Sequence, residues 1–175
     1  MSHPYSVKDN LVPKEKIIEI YKFCRSRSYY RTEFDGPNLP YTGLLSNLEI
    51  NDNIVKYLLE VTKLSEKKLY RAYINLFLPD EKPNIHQDKK GDEPETTLLY
   101  YVNTEPNNAD DLGETFFYFN NEVRGVQPVP GRITVFDGDI LHRASALRNI
   151  DRFTIALKFN DNMENILNES PLRRK

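Results

Sequence analysis

The chain has no tryptophan, two methionines, three histidines and a single cysteine among its 175 residues. One cysteine, Cys24, excludes an intramolecular disulfide framework and any site built from several thiolates. No uninterrupted apolar stretch approaches the roughly 20 residues needed to cross a bilayer, and no N-terminal apolar run has the form of a secretory signal. A cytoplasmic, reducing setting is therefore the expectation, and the sequon at Asn168, with Pro171 behind it, is expected to be silent. Net charge is only −2, with both signs interspersed, so the basic footprint of a nucleic-acid binder is missing. Only the end of the chain, PLRRK, is locally basic, and it reads as a solvated polar tail.

What the chain does have is an ordinary globular composition, 39% hydrophobic and 29% charged, at a length suited to one core. We expect a single domain, 1–175, with a helical lead-in over about 1–65, a β core over about 66–162 and a polar tail. In PKEKIIEIYKFCR, Ile17, Ile20, Tyr21 and Cys24 recur at helical spacing behind Pro13, which suits the first helical position. That spacing buries Cys24, so packing rather than reactivity is its expected role. A second helix is predicted over about Asn51 to Lys63, with Ile54, Tyr57, Leu58 and Val61 on one face. The stretch between them, Arg25 to Gly43, is read as a long loop and a candidate substrate lid.

From Leu69 the period changes to two. LYRAYINLFL, TTLLYYVN, ETFFYFN, GRITVFD and RFTIALKF are short β-branched and aromatic runs between turn-forming clusters. The expected fold class is mainly β with flanking helices (α+β), in which helices pack on an antiparallel double sheet of sandwich or barrel form.

Chemistry concentrates in a few of these runs. In PNIHQDKKG, His86 and Asp88 stand at i and i+2, so in an extended segment they share a face while Gln87 turns away. Alone, an H-x-D triplet is common and is better explained by a hydrogen-bonded polar turn. His142, in VPGRITVFDGDILHRAS at the end of a later strand, supplies a second imidazole, and two histidines with one carboxylate form a facial triad with open positions. Non-haem Fe(II) and hydrolytic zinc both accept that ligand set. In NIDRFTIALKFN, Arg152, Thr154, Ala156 and Lys158 share one face, and Phe153, Ile155, Leu157 and Phe159 the other. The second is a core face, so Arg152 and Lys158 point elsewhere, and a buried arginine requires an anion.

In that order and spacing the residues resemble the Fe(II)/2-oxoglutarate-dependent dioxygenases, within them the prolyl 4-hydroxylase-like branch. The resemblance covers about Leu69 to Phe159 and rests on H-x-D, LLYYVN, GETFFY, PVPGRITVFDGDILHRA and RFTIALKF, with Arg152 ten residues beyond His142. It implies a double-stranded β-helix (jelly roll, cupin-like) core and iron held by His86, Asp88 and His142. It further implies that Arg152 grips the distal carboxylate of 2-oxoglutarate, joined by the hydroxyl of Tyr101. Tyr73 and Asn75 are implied to orient the co-substrate, and Lys158 either touches co-substrate or substrate or snorkels to solvent. The charges of Fe(II), Asp88, 2-oxoglutarate and Arg152 cancel, which makes such a buried assembly tolerable.

The activity implied is hydroxylation of a peptidyl-proline-like or other substrate, protein or small molecule, with O2 consumed and succinate and CO2 released. Ascorbate is a candidate reductant by the same resemblance. Asn75 eleven residues before His86, and Lys158 six after Arg152, are also similar to the nucleic-acid demethylase branch, although that branch ends in a second arginine. A nucleic-acid dealkylase and a non-catalytic jelly-roll binding module are the alternatives. Leu112 in place of a frequent glycine, and the missing tryptophan, depart from the hydroxylase pattern and bear on substrate identity. Asp137 and Asp139 around Gly138 read as turn formers rather than extra ligands.

Overall fold

A computed structural model describes residues 5–31, 41–89, 91–105 and 112–173. Nine strands and three helices occur among them. They are β1 (Tyr5–Lys8), α1 (Lys14–Arg25), β2 (Leu44–Leu48), α2 (Asn53–Thr62), β3 (Leu69–Phe77), β4 (Thr96–Tyr101), β5 (Thr115–Phe119), β6 (Glu122–Val126), β7 (Ile133–Asp137), β8 (Leu141–Ala144), β9 (Arg152–Phe159) and α3 (Met163–Ile166). A six-stranded sheet in the order β1-β7-β4-β9-β3-β2 faces a three-stranded sheet in the order β6-β5-β8, and every named strand pair is antiparallel. This is the mainly β, jelly-roll arrangement expected from the period-two runs.

Strand alternation divides the apolar residues into two cores. Ile74, Leu76, Leu98, Tyr100, Ile133, Val135, Phe153, Ile155, Leu157 and Phe159 point outward from the large sheet, where Ile17, Ile20 and Cys24 of α1 and Val55, Leu58 and Leu59 of α2 cover them. A smaller core of Leu45, Tyr73, Leu99, Tyr101, Phe117, Phe136 and Ala156 lies between the sheets. The helices thus brace one face of the large sheet and leave the other to form the floor of a cavity.

Each helix carries its own stop signals. Pro13 is the residue before α1, not its first member, with φ −61° and ψ 150°. Asp52 caps α2, its Oδ1 accepting from Ile54 N at 2.9 Å, and Lys63 ends that helix in the left-handed region at φ 53°. Burial pushes the Cys24 thiol up to about 12, in keeping with a packing role.

Two expectations need correction. The lead-in is not purely helical, because β1 and β2 lie in it and form the two edges of the large sheet. Their runs, YSVK and LLSNL, are too short for periodicity to register. The tail is not a loose polar end: Leu167, Leu172 and Ser170 are buried, with Ser170 Oγ donating to Thr62 O at 2.6 Å and Ser6 Oγ to Leu172 O at 2.5 Å. Of the predicted Arg25 to Gly43 loop, residues 32–40 lie outside the described residues; its described ends meet where Tyr30 and Leu45 exchange backbone hydrogen bonds of 3.0 and 2.9 Å. No helix among the described residues is long and apolar enough to cross a membrane.

Candidate metal and co-substrate site

The inner faces of the two sheets enclose a cavity of about 620 Å³. His86, Asp88, His142, Arg152, Lys158, Tyr73 and Asn75 all line it, so seven of the eight residues singled out from the sequence converge there. Tyr101 is the exception.

His142 sits within β8, a strand of its own, opposite Phe117 of β5. His86 is not in a strand. One antiparallel bridge ties it to His142 through paired backbone hydrogen bonds of 2.9 Å, and that bridge brings the H-x-D triplet to β8. The two imidazole centroids lie 4.5 Å apart. Gln87 commits its side-chain amide to the Asp139 carbonyl. Asp137 and Asp139 act in the turn, as expected: Ile140 N donates to Asp137 O, and Asp137 Oδ1 accepts from Met163 N.

The histidine tautomers follow from their backbone partners. Nδ1 of His86 is 3.1 Å from Asn84 O, and Nδ1 of His142 is 2.9 Å from Ile140 O. A carbonyl can only accept, so each Nδ1 donates, and in the neutral, ligating form each Nε2 presents a lone pair. Both lone pairs face Asp88, whose Oδ1 lies 3.7 Å from His86 Nε2 and whose Oδ2 lies 3.6 Å from His142 Nε2. One ligand atom from each of the three residues falls within 4.8 Å of the others. Two imidazoles and one carboxylate at that spacing fit a first-row divalent cation such as Fe(II) or Zn(II).

Burial pushes the His142 imidazole down to about 4; Asp88 opposes this and His86 adds to it. It is neutral at physiological pH, the form in which it ligates. Burial raises the Asp88 carboxyl, but Lys158, His142 and His86 outweigh burial and hold it well below the usual carboxylate range.

Lys158 is 4% exposed, so it does not snorkel. Its ammonium contacts Asp88 Oδ2, donates to Thr97 Oγ1 at 2.8 Å and lies 3.6 Å from Glu95 Oε1. Burial lowers its pKa, yet Asp88, Tyr73 and Glu95 raise it overall, so it remains charged.

At the other end of β9, Arg152 is 1% exposed and faces the cavity. Its Nε donates to Gly113 O at 2.8 Å and its Nη2 to Thr115 Oγ1 at 3.0 Å. Burial lowers its pKa, and Tyr101 and Glu114 partly offset this. Gly113 adopts φ +92°, and a Cβ there would lie 2.6 Å from Leu147 Cδ2, so only glycine brings this carbonyl to Arg152 without strain. Tyr101 does not present its hydroxyl to the cavity. It donates to Thr115 Oγ1 at 2.7 Å, while its ring lies 5.6 Å from the Arg152 guanidinium carbon.

The residue that meets the cavity there is Thr115, absent from the sequence-based set together with Thr97, Glu95 and Thr154. The signal available was a hydroxyl on an inward strand face, which GETFFY and TTLLYY both carry but which many core strands share. Thr154 Oγ1 is buried, lines the cavity and has no hydrogen-bond partner among the described residues. A guanidinium with two hydroxyls lining one cavity fits a carboxylate.

Similarity to known proteins lies in the fold rather than the sequence. No family model matches the chain, and no curated protein matches it in sequence. Solved structures do: a prolyl-4-hydroxylase from Pseudomonas putida superposes with TM-score 0.73 at 15% identity, over 92% of this chain and 94% of that one. The fold is that of the 2-oxoglutarate oxygenases. A prolyl hydroxylase from Trichoplax adhaerens, in complex with a hypoxia inducible factor peptide fragment, gives TM-score 0.72 at 13% identity over 95% and 87% of the two chains. HygX from Streptomyces hygroscopicus, with nickel and 2-oxoglutarate bound, gives 0.66 at 9% over 91% and 84%.

Proposed function

We propose that the protein is an Fe(II)- and 2-oxoglutarate-dependent oxygenase that hydroxylates an organic substrate. The observation that carries this reading is one cavity holding both a divalent-cation ligand set, His86 Nε2, Asp88 and His142 Nε2, and a separate buried anion grip, Arg152 with Thr115. A hydrolytic zinc site requires only the first of these. The nickel and 2-oxoglutarate held by HygX in the same fold support the pairing.

His86, Asp88 and His142 would hold the metal and leave its remaining positions open. Bound iron supplies the redox chemistry by which O2 oxidises 2-oxoglutarate to succinate and CO2, one oxygen atom entering succinate and the other a substrate C–H bond. The protein's contribution is placement. Arg152 fixes the distal carboxylate, with Nε and Nη2 already oriented by Gly113 O and Thr115 Oγ1, so little ordering remains when the anion arrives. Thr115 accepts from both Tyr101 and Arg152, which leaves its own proton for the same anion. Leu99, Phe136 and Ala156 add apolar surface to the wall of the same cavity. Tyr73, Asn75 and Phe77, successive inward residues of β3, form another wall.

Peptidyl proline remains one candidate primary substrate, by likeness to the prolyl hydroxylases; ascorbate remains a candidate reductant and the cytoplasm a candidate location. Binding tests the reading directly. With Mn(II) present, 2-oxoglutarate raises the unfolding temperature of the protein, and Arg152→Ala abolishes that increase. A wild-type protein unmoved by 2-oxoglutarate would leave the jelly-roll binding module as the better description.

A further inference from the structure

Lys158 stands where two strands hold it, and its role is legible from lone pairs. A carboxylate oxygen has two acceptor positions. Asp88 Oδ2 receives the Thr97 hydroxyl at 2.6 Å and also contacts the Lys158 ammonium. Lys158 donates in turn to Thr97 Oγ1 at 2.8 Å, closing a triangle in which Thr97 accepts once and donates once. Thr97 and Lys158 are direct partners in the β4–β9 ladder, so the triangle is set by sheet register rather than by a loop. Glu95 Oε1, buried and without a hydrogen bond among the described residues, lies 3.6 Å from Lys158 Nζ; Tyr70 Oη donates to its Oε2 at 2.9 Å. The carboxylate of Glu95 thereby keeps the ammonium from leaving its corner.

Both acceptor positions of Oδ2 are thus committed, whereas Oδ1, 3.7 Å from His86 Nε2, retains its own. We propose that Lys158 is a positioning residue that, together with Thr97, makes Asp88 a one-oxygen ligand and so keeps an additional coordination position open for the co-substrate. The inference rests on the metal reading above. It assigns to Lys158 a task distinct from contact with co-substrate: it acts through Asp88. Freed from Thr97 or Lys158, the carboxylate can turn both oxygens to the cation, and a position that 2-oxoglutarate needs is lost. Partners of this kind behind metal ligands are typically worth about 10- to 100-fold in affinity or activity.

The test uses full-length protein loaded with Mn(II), whose electron paramagnetic resonance spectrum reports coordination symmetry, and measures the dissociation constants of Mn(II) and then of 2-oxoglutarate. Thr97→Val removes the hydroxyl and alters no charge; Lys158→Met removes the ammonium. Both variants are expected to weaken 2-oxoglutarate about 10-fold or more and to change the Mn(II) spectrum, whereas Thr97→Ser and Lys158→Arg stay near wild type. Either Thr97→Val or Lys158→Met binding 2-oxoglutarate within about twofold of wild type, with an unchanged spectrum, overturns the proposal. Lys158→Met alone cannot support it, because losing a cation beside an anionic ligand weakens binding by charge; the uncharged Thr97→Val must reproduce the loss. Should the wild-type protein bind neither Mn(II) nor 2-oxoglutarate, the oxygenase reading fails before this one is reached.

Discussion

Asp88 keeps its charge in the protein interior because three cationic or cation-accepting groups surround it, and each makes a separate prediction. His86→Ala removes one lone pair from a three-ligand set, and Asp88→Ala removes the anion that offsets the cation. Each is expected to reduce Mn(II) affinity at least 100-fold by calorimetry, and Asp88→Ala also leaves the buried Lys158 ammonium with Glu95, at 3.6 Å, as its remaining anionic partner, which costs up to about 3 kcal/mol of stability. His142 adds a dependence on pH. Its folded value near 4 lies below the ordinary 6.5, so between these limits the unfolded chain binds more protons. Stability of the metal-free protein from this group is complete above pH 6.5 and is lost as pH falls towards 4, a change on the order of 3 kcal/mol. Urea titrations across that range should show the slope in wild type and a flatter response in His142→Gln; equal slopes would contradict the burial account. At the far end of the cavity, Arg152→Ala should raise the KM for 2-oxoglutarate about 10- to 100-fold, the worth of a charge-assisted hydrogen-bond pair.

Elements show what the sequence made readable and what it did not. RFTIALKF was legible to the residue, because eight alternating positions separate an outward apolar face from an inward polar one, and both faces are buried. The edge strands β1, β2 and β6 were not, being four or five residues long with a burial pattern that need satisfy only one side. That His86, Asp88, His142 and Arg152 converge on one cavity was legible from the order and spacing of their motifs taken together. Thr97, Glu95 and Thr115 were not, since a threonine or glutamate earns its role from a cross-strand neighbour such as Lys158 or Arg152, and register is not written in composition. Tyr101 was placed on the inward strand face, and its hydroxyl donates to Thr115, a neighbour that strand pattern does not reveal. Gly113 shows how a turn serves the site. Gly113→Ala forces a side chain into φ +92° against Leu147 and is expected to cost about 1–3 kcal/mol in urea unfolding, together with weaker 2-oxoglutarate binding as the carbonyl under Arg152 shifts.

For the whole molecule the division of labour follows from two cores. Helices α1 and α2 cover one side of the large sheet, so its other side can afford charged and hydroxyl-bearing residues around a cavity that the small sheet only partly fills. Ligand binding and folding are therefore linked: at 100 times its dissociation constant, 2-oxoglutarate should stabilise the Mn(II)-loaded protein by about 2.7 kcal/mol, or roughly 5–11 °C in a domain of this size. The most direct test of the central claim is succinate formation by purified protein with Fe(II), 2-oxoglutarate and O2, including the slow turnover expected without a primary substrate. The account predicts succinate from wild type, none above background from His86→Ala, and a rate from Arg152→Ala that recovers only at high 2-oxoglutarate concentration. Equal succinate from wild type and His86→Ala would contradict it.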